Sequence, residues 1–277
     1  MARKKEVKEY SKGLFQQISA NDVTGLAAQI AYYFLLSLFP LLIFVVTLLP
    51  YLPVQQDDLL GVVRDYAPGE TLKMIEGTLS DVMSNRNSGL LSISIIATIW
   101  SASNGMNAIV KSLNRAYDIE ETRSFIVQRL TSVALTLGMI LVFVVALLLP
   151  VFGKQIGLFL FSQFGFSDQF LTLWSGIRWA ISPLILFVIF MVLYYFAPNM
   201  KIKCLSALPG AIFATVGWVL ASLAFSFYVG NFGNYSATYG SIGGIIVLMI
   251  WFYLTGIIIM IGGEINAMRT KKDNVAC

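Results

Sequence analysis

The chain has no histidine among its 277 residues and only two cysteines, Cys204 and Cys277. Without histidine it lacks the commonest general base and the commonest transition-metal ligand. Two cysteines in polar stretches, both assigned below to the cytoplasmic side, do not make a disulfide framework. Charge is scarce as well: 12% of the residues are Asp, Glu, Lys or Arg, 57% are hydrophobic, and the mean hydropathy is +0.75. A soluble domain carries roughly 25% charged residues, so lipid must cover part of this surface. No GxxxxGK[ST] loop occurs, which argues against nucleotide drive within the chain. No cofactor and no metal centre are expected.

What is present is long apolar runs. A helix needs roughly 20 mostly apolar residues to cross the hydrocarbon core. Six stretches qualify, at about 28–51, 89–111, 129–152, 178–197, 207–229 and 240–264. Runs such as LILFVIFMVLYYF are continuous, without the alternation of a membrane β-barrel. The expected fold class is therefore all-α: a polytopic membrane protein with six transmembrane helices plus short amphipathic interfacial helices. Residues 1–27 read as a cytoplasmic and interfacial segment, 28–268 as the six-helix membrane domain and 269–277 as a cytoplasmic tail.

Orientation follows the basic residues in the connections. With the N-terminus inside, Arg3, Lys4, Lys5, Lys8, Lys12, Lys111, Arg115, Arg123, Arg129, Lys201, Lys203, Arg269, Lys271 and Lys272 are cytoplasmic, most of the 19 Lys and Arg residues. Both termini are then cytoplasmic. The start MARKKEVKEYSKGLFQQ leads into no short apolar core with a cleavage site, so it reads as a retained end. Residues 10–27 suggest an interfacial helix, with Tyr10, Leu14, Phe15 and Ile18 toward lipid and Asp22 as N-cap of the first span. The loop 52–88 suggests two amphipathic helices broken at Pro68 and Gly69, and 153–177 is apolar enough to lie on the outer leaflet.

Polar residues inside the spans are the informative exceptions. On a helix, Trp100, Asn104, Asn107, Lys111, Asn114 and Asp118 share one stripe. Such a stripe reads either as interhelical hydrogen bonding or as the wall of a polar cavity open to the cytoplasm. In the second reading Trp100, Asn104, Asn107, Lys111 and Asn114 bind substrate, with Lys111 attracting a phosphate or carboxylate. Pro40 should kink the first span, with Ser37 satisfying a freed carbonyl. Pro40, Gly240, Gly243 and Gly244 are the hinge candidates. Gly210, Ala214, Gly217, Ala221 and Ala224 form a small-residue face for close helix packing. Glu264, at the inner end of the last span, is expected to pair with Lys111 or Arg129, or to couple ion movement.

The segments GLAAQIAYYFLLSLFPLLIF, WSASNGMNAIVKSLNRAYDIEETRSFIVQRL and YGSIGGIIVLMIWFYLTGIIIMIGGEINA resemble the YihY/BrkB family of bacterial inner-membrane proteins. The resemblance covers most of the chain and implies six spans with both ends cytoplasmic, in a bacterial inner membrane. Its members have often carried the label ribonuclease BN, a tRNA-processing enzyme. Nuclease chemistry needs clustered acids on metal or histidine-type groups, and here Asp118, Glu120 and Glu121 stand apart from Asp57, Asp58 and Asp65. The resemblance also suggests a link to the cell envelope.

The function expected is transport or export of an anionic lipid or small envelope-related solute. The alternatives are a non-transporting envelope scaffold and a membrane enzyme acting on lipid-linked substrates. Expected partners are membrane lipids and the lipid or solute substrate, not nucleic acid; a homo-oligomer stays open.

Overall fold

The computed structural model describes residues 2–51, 76–77, 80, 83, 87–141, 183–200, 202–232 and 241–275. These residues are helical or in short connections, with no strand among them. The helices are α1 (Ala2–Ala20), α2 (Val23–Leu48), α3 (Ser88–Tyr117), α4 (Phe125–Leu141), α5 (Pro183–Phe196), α6 (Cys204–Phe232) and α7 (Ser241–Val275). Among the described residues, four helical stretches are long and apolar enough to cross a membrane: Val23–Tyr51, Ser88–Tyr117, Cys204–Val229 and Gly243–Lys271. The helices α4 and α5 are apolar but shorter, and the rest of the stretches expected around them lies outside the described residues. So do Gly240 and nearly all of the two loops at 52–88 and 153–177.

Two compact units divide the chain, one holding residues 1–33 and 103–277, the other 34–102. In the larger unit the packing rests on small residues. Ala207, Gly210, Ala211 and Ala214 of α6 are buried, and α6 packs along α7. A side chain at Gly210 would collide with the Gly262 carbonyl and the Asn266 amide. One at Gly262 would strike the Tyr194 hydroxyl, which donates to the Ile259 carbonyl at 2.8 Å. The helix α2 crosses α7 at Ala27 and Gly256, again too closely for a side chain at 256. Without a hydrophobic drive between helices in lipid, this close approach supplies the dispersion contact that holds them. The small-residue face of α6 is real at Gly210 and Ala214, but it fades outward: Ala224 is exposed.

Asp22 behaves as its spacing predicts. Its carboxylate accepts from the Gly25 N–H at 3.2 Å and so caps α2. The cap begins α2 at Val23, earlier than the boundary near 28 that hydropathy suggested. Residues 21–22 are an elbow between α1 and α2, so 10–27 is not one helix. On α1, Phe15 is 73% exposed, while the opposite face meets α7 where Gly13 touches Met268.

The smaller unit contains Pro40, within a helix that runs unbroken from Val23 to Leu48. Proline removes the bond to the carbonyl four residues back, which is that of Leu36. Ser37 does not fill that gap: its hydroxyl donates to the Phe34 carbonyl at 2.7 Å. Thr47 and Ser94 share a hydrogen bond at 3.3 Å between α2 and α3. Large apolar side chains of this unit, among them Phe39, Leu42, Ile93 and Ile96, stand exposed. Exposed apolar belts of this kind suit hydrocarbon as the surrounding solvent.

Candidate functional site

The polar stripe of α3 is helical throughout, and its residues meet different fates. Trp100, in the smaller unit, is 59% exposed and borders a shallow apolar cavity with Ile93, Ile96 and Ala97. Asn104 accepts a hydrogen bond from the Arg129 guanidinium of α4 at 2.6 Å. Asn107 is half-buried, and its carbonyl oxygen has no hydrogen-bond partner. Asn114 is 3% exposed and fully engaged. Its amide donates to Glu121 at 2.8 Å, and its carbonyl accepts from the Asn199 N–H at 2.7 Å.

Asn114 is thereby the centre of a clamp rather than a ligand-facing group. The Glu121 carboxylate also takes the Arg123 side chain at 2.7 and 2.9 Å and the Arg123 backbone N–H at 3.2 Å. The bonded Arg123 guanidinium holds the Glu121 carboxyl below its usual range. Arg123 reaches on to the Ala197 carbonyl, while the Asn199 amide meets the Glu120 carbonyl and the Thr122 hydroxyl. Two connections far apart in sequence, 118–124 and 197–200, are locked together by these bonds.

Beside the clamp lies a polar cleft of about 440 Å³, lined by residues that include Asn21, Lys111, Asn114, Arg115, Asp118 and Glu121. Lys111 and Arg115 are one helical turn apart on α3, both exposed. The helix ends at Asp118, whose φ is +59°. Its N–H bonds the Arg115 carbonyl at 3.0 Å, and the Ile119 N–H bonds the Asn114 carbonyl at 2.9 Å. That pair of bonds is a Schellman motif with aspartate where glycine is usual. Ile119 then packs on Ala116, Tyr117, Ile202 and Ala267.

The other wall is the elbow. The Asn21 amide donates to Glu264 at 2.7 Å, and Glu264 is fully buried. The expected pairing of Glu264 with Lys111 or Arg129 is therefore replaced by an amide partner, since Arg129 turns to Asn104 and Lys111 to the cleft. Among the hinge candidates, Gly243 is buried and Gly244 exposed, with open space around it. Asn21 and Arg115 were missed by the stripe. Arg115 was legible as the i+4 neighbour of Lys111; nothing local marks Asn21. Among the described residues, no three His, Cys, Asp or Glu side chains stand close enough together to hold a metal ion.

Comparison with known proteins agrees on the kind of molecule. The family described as Virulence factor BrkB matches residues 14–276. A Bacillus subtilis (strain 168) protein, YfkH, whose name calls it ribonuclease-like, is 56% identical over 266 residues, covering 96% of this chain and 97% of its own. UPF0761 membrane proteins of Pseudoalteromonas translucida and Aliivibrio salmonicida are 27% and 29% identical. These alignments cover 91% and 94% of this chain, and 83% of each relative. No solved structure matches the chain.

Proposed function

The chain belongs to the BrkB family of membrane proteins, and on that premise we propose that it transports an anionic lipid or small envelope-related solute. The substrate enters from the cytoplasmic side, through the cleft between the α1–α2 elbow and the end of α3. In this reading the chain crosses an inner membrane six times with both termini in the cytoplasm, as the distribution of Lys and Arg supports. The observation that carries the proposal is the cleft itself. Its two exposed cations, Lys111 and Arg115, lie at the end of a helix long enough to span the bilayer.

An ammonium and a guanidinium one turn apart suit a phosphate or carboxylate, which each can bind with charge-assisted hydrogen bonds. Lys111 holds the anion and Arg115 orients it, while the rigid clamp at Asn114 fixes the helix end that carries them. The ribonuclease-like name of the Bacillus relative fits these residues poorly, because histidine is absent from the chain and no acid cluster supports metal-assisted cleavage among the described residues.

The test is reconstitution. Proteoliposomes carrying acyl-labelled phosphatidylglycerol or phosphatidylethanolamine should exchange label between leaflets faster than protein-free liposomes, and Lys111→Ala should slow the exchange. A parallel set, loaded with phosphate esters, tests solute export. Equal rates with and without protein for every probe would overturn transport and favour a scaffold.

A further inference from the structure

Among the described residues, two that are not glycine have left-handed backbone, Asp22 and Asp118, with φ of +52° and +59°. That region is disfavoured for residues with a side chain, although aspartate tolerates it better than most. For Asp22 the choice of aspartate is explained by capping, because its carboxylate bonds Gly25 and Thr24. For Asp118 it is not. The position is the one in a Schellman motif that glycine fills best, and the exposed carboxylate, which lines the cleft, has no hydrogen-bond partner among the described residues.

The remaining polar groups of the cleft can be sorted by whether they are already used. Glu121 is consumed by Arg123 and Asn114, and Asn114 by Glu121 and Asn199. One Asn21 amide N–H is spent on Glu264. The charged groups left facing the cleft are the Lys111 ammonium, the Arg115 guanidinium and the Asp118 carboxylate. Two cations with one acid following on the same helix edge match a ligand that is anionic at one end and carries a donor at the other.

We propose that the cleft takes a zwitterionic phosphate ester, its phosphate on Lys111 and Arg115 and its amine on Asp118, so that Asp118 is the specificity residue. The inference rests on the reading of the cleft as a phosphate site and narrows the anionic ligand to one whose headgroup also carries a cation. A simple phosphate dianion would satisfy both cations but meet the Asp118 carboxylate as a like charge. A phosphoethanolamine-type group turns that repulsion into an ion pair. The same chemistry is offered by a phospholipid headgroup and by a soluble phosphate ester.

The experiment measures binding of O-phosphoethanolamine, inorganic phosphate and ethanolamine to the purified full chain, with wild type, Lys111→Ala, Asp118→Asn and Asp118→Gly. Wild type should bind O-phosphoethanolamine about three- to fivefold more tightly than phosphate, the size of one exposed ion pair. Asp118→Gly should fold at least as well, because glycine suits the backbone, yet bind the two alike; Asp118→Asn should do the same. Equal affinities in wild type, or a preference that survives in Asp118→Gly, would remove the specificity inference while leaving the anion site intact. Binding that ignores Lys111→Ala, or no binding of any probe, would bring down the cleft reading itself. A second arm counts phosphatidylethanolamine against phosphatidylglycerol retained by native mass spectrometry from mixed nanodiscs. Asp118-dependent retention of phosphatidylethanolamine assigns the lipid source, and Asp118-dependent binding of the soluble ester alone assigns the free one. Dependence in neither arm overturns the proposal.

Discussion

The Asn21 side chain donates to Glu264 across 2.7 Å, tying the elbow between α1 and α2 to a fully buried carboxylate of α7. The second carboxylate oxygen of Glu264 and the side-chain amide oxygen of Gln17, one turn before Asn21, are buried without a hydrogen-bond partner among the described residues. Among the described residues, the bond to Asn21 is thus the one direct hydrogen bond Glu264 receives. Removing one partner of a buried polar pair costs the desolvation of the other, about 1–3 kcal/mol and more for a charged group. Asn21→Ala should lower the melting temperature clearly in detergent, by roughly 2–3 kcal/mol of stability. Glu264→Gln, which keeps an acceptor for Asn21, should lose less. An Asn21→Ala protein that melts like wild type would show that the elbow is held by other contacts.

The glycines of the larger unit divide into those that admit a side chain and those that do not. Gly262→Ala forces its methyl into the Tyr194 hydroxyl and the Gly210 carbonyl, and Gly210→Ala meets the Gly262 carbonyl and Asn266. Overpacking of this kind costs about 1–3 kcal/mol or more. Gly244→Ala meets nothing within 4 Å, and in a helix alanine is favoured over glycine by about 1 kcal/mol. Thermal unfolding of the three variants should rank Gly244→Ala at or above wild type and the other two well below. The reverse order would refute the close crossing of α6 and α7.

Much of this was legible in the sequence, where the determinant is local. Composition gave the solvent, apolar run length gave the four long apolar helices among the described residues, and Asp22 marked its own cap because the capping acceptor and donor are three residues apart. Gly210 and Ala214 announced close packing because small size has one common use between helices. The partners of the polar residues were not legible. Asn114 meets Asn199, and Asn21 meets Glu264, only because distant connections converge. An amide on a stripe looks the same whether it faces a clamp or a cleft. An acid at the end of a span suggests a cation as its partner, since charge seeks charge, and the chain supplies a neutral donor to Glu264 instead.

The clamp should be sensitive to acid. Arg123 holds the Glu121 carboxyl below its usual range, so the folded state binds that proton less readily than the unfolded chain. Its contribution is complete above the ordinary glutamate range and is lost as the pH falls through the lowered folded value. Because the two side chains keep 17% and 21% of their surface in water, the effect should be modest, about 1 kcal/mol. Melting curves against pH should show a steeper acid-side loss for wild type than for Glu121→Gln. Identical pH profiles for the two would mean that the clamp adds nothing to stability.

Along α3 the stripe itself can be divided into structure and site by three substitutions. Asn114→Leu removes the bonds to Glu121 and Asn199; Glu121 keeps Arg123, but the Asn199 N–H loses its acceptor, so it should cost about 1–3 kcal/mol and impair everything downstream of folding. Asn107→Leu deletes a buried carbonyl oxygen that has no partner. Replacing an unsatisfied polar group with an apolar one of similar size is close to neutral, so this variant should melt near wild type. Lys111 is exposed at the cleft, so Lys111→Ala should leave the melting temperature unchanged while weakening binding of a phosphate probe about tenfold or more. Melting temperature and phosphate binding, measured side by side, then separate the roles. If Lys111→Ala lowers both, the ammonium is packing glue and the cleft is not a binding site. If Asn107→Leu abolishes binding with stability intact, the site extends deeper along α3 than the cleft that Lys111 and Arg115 border.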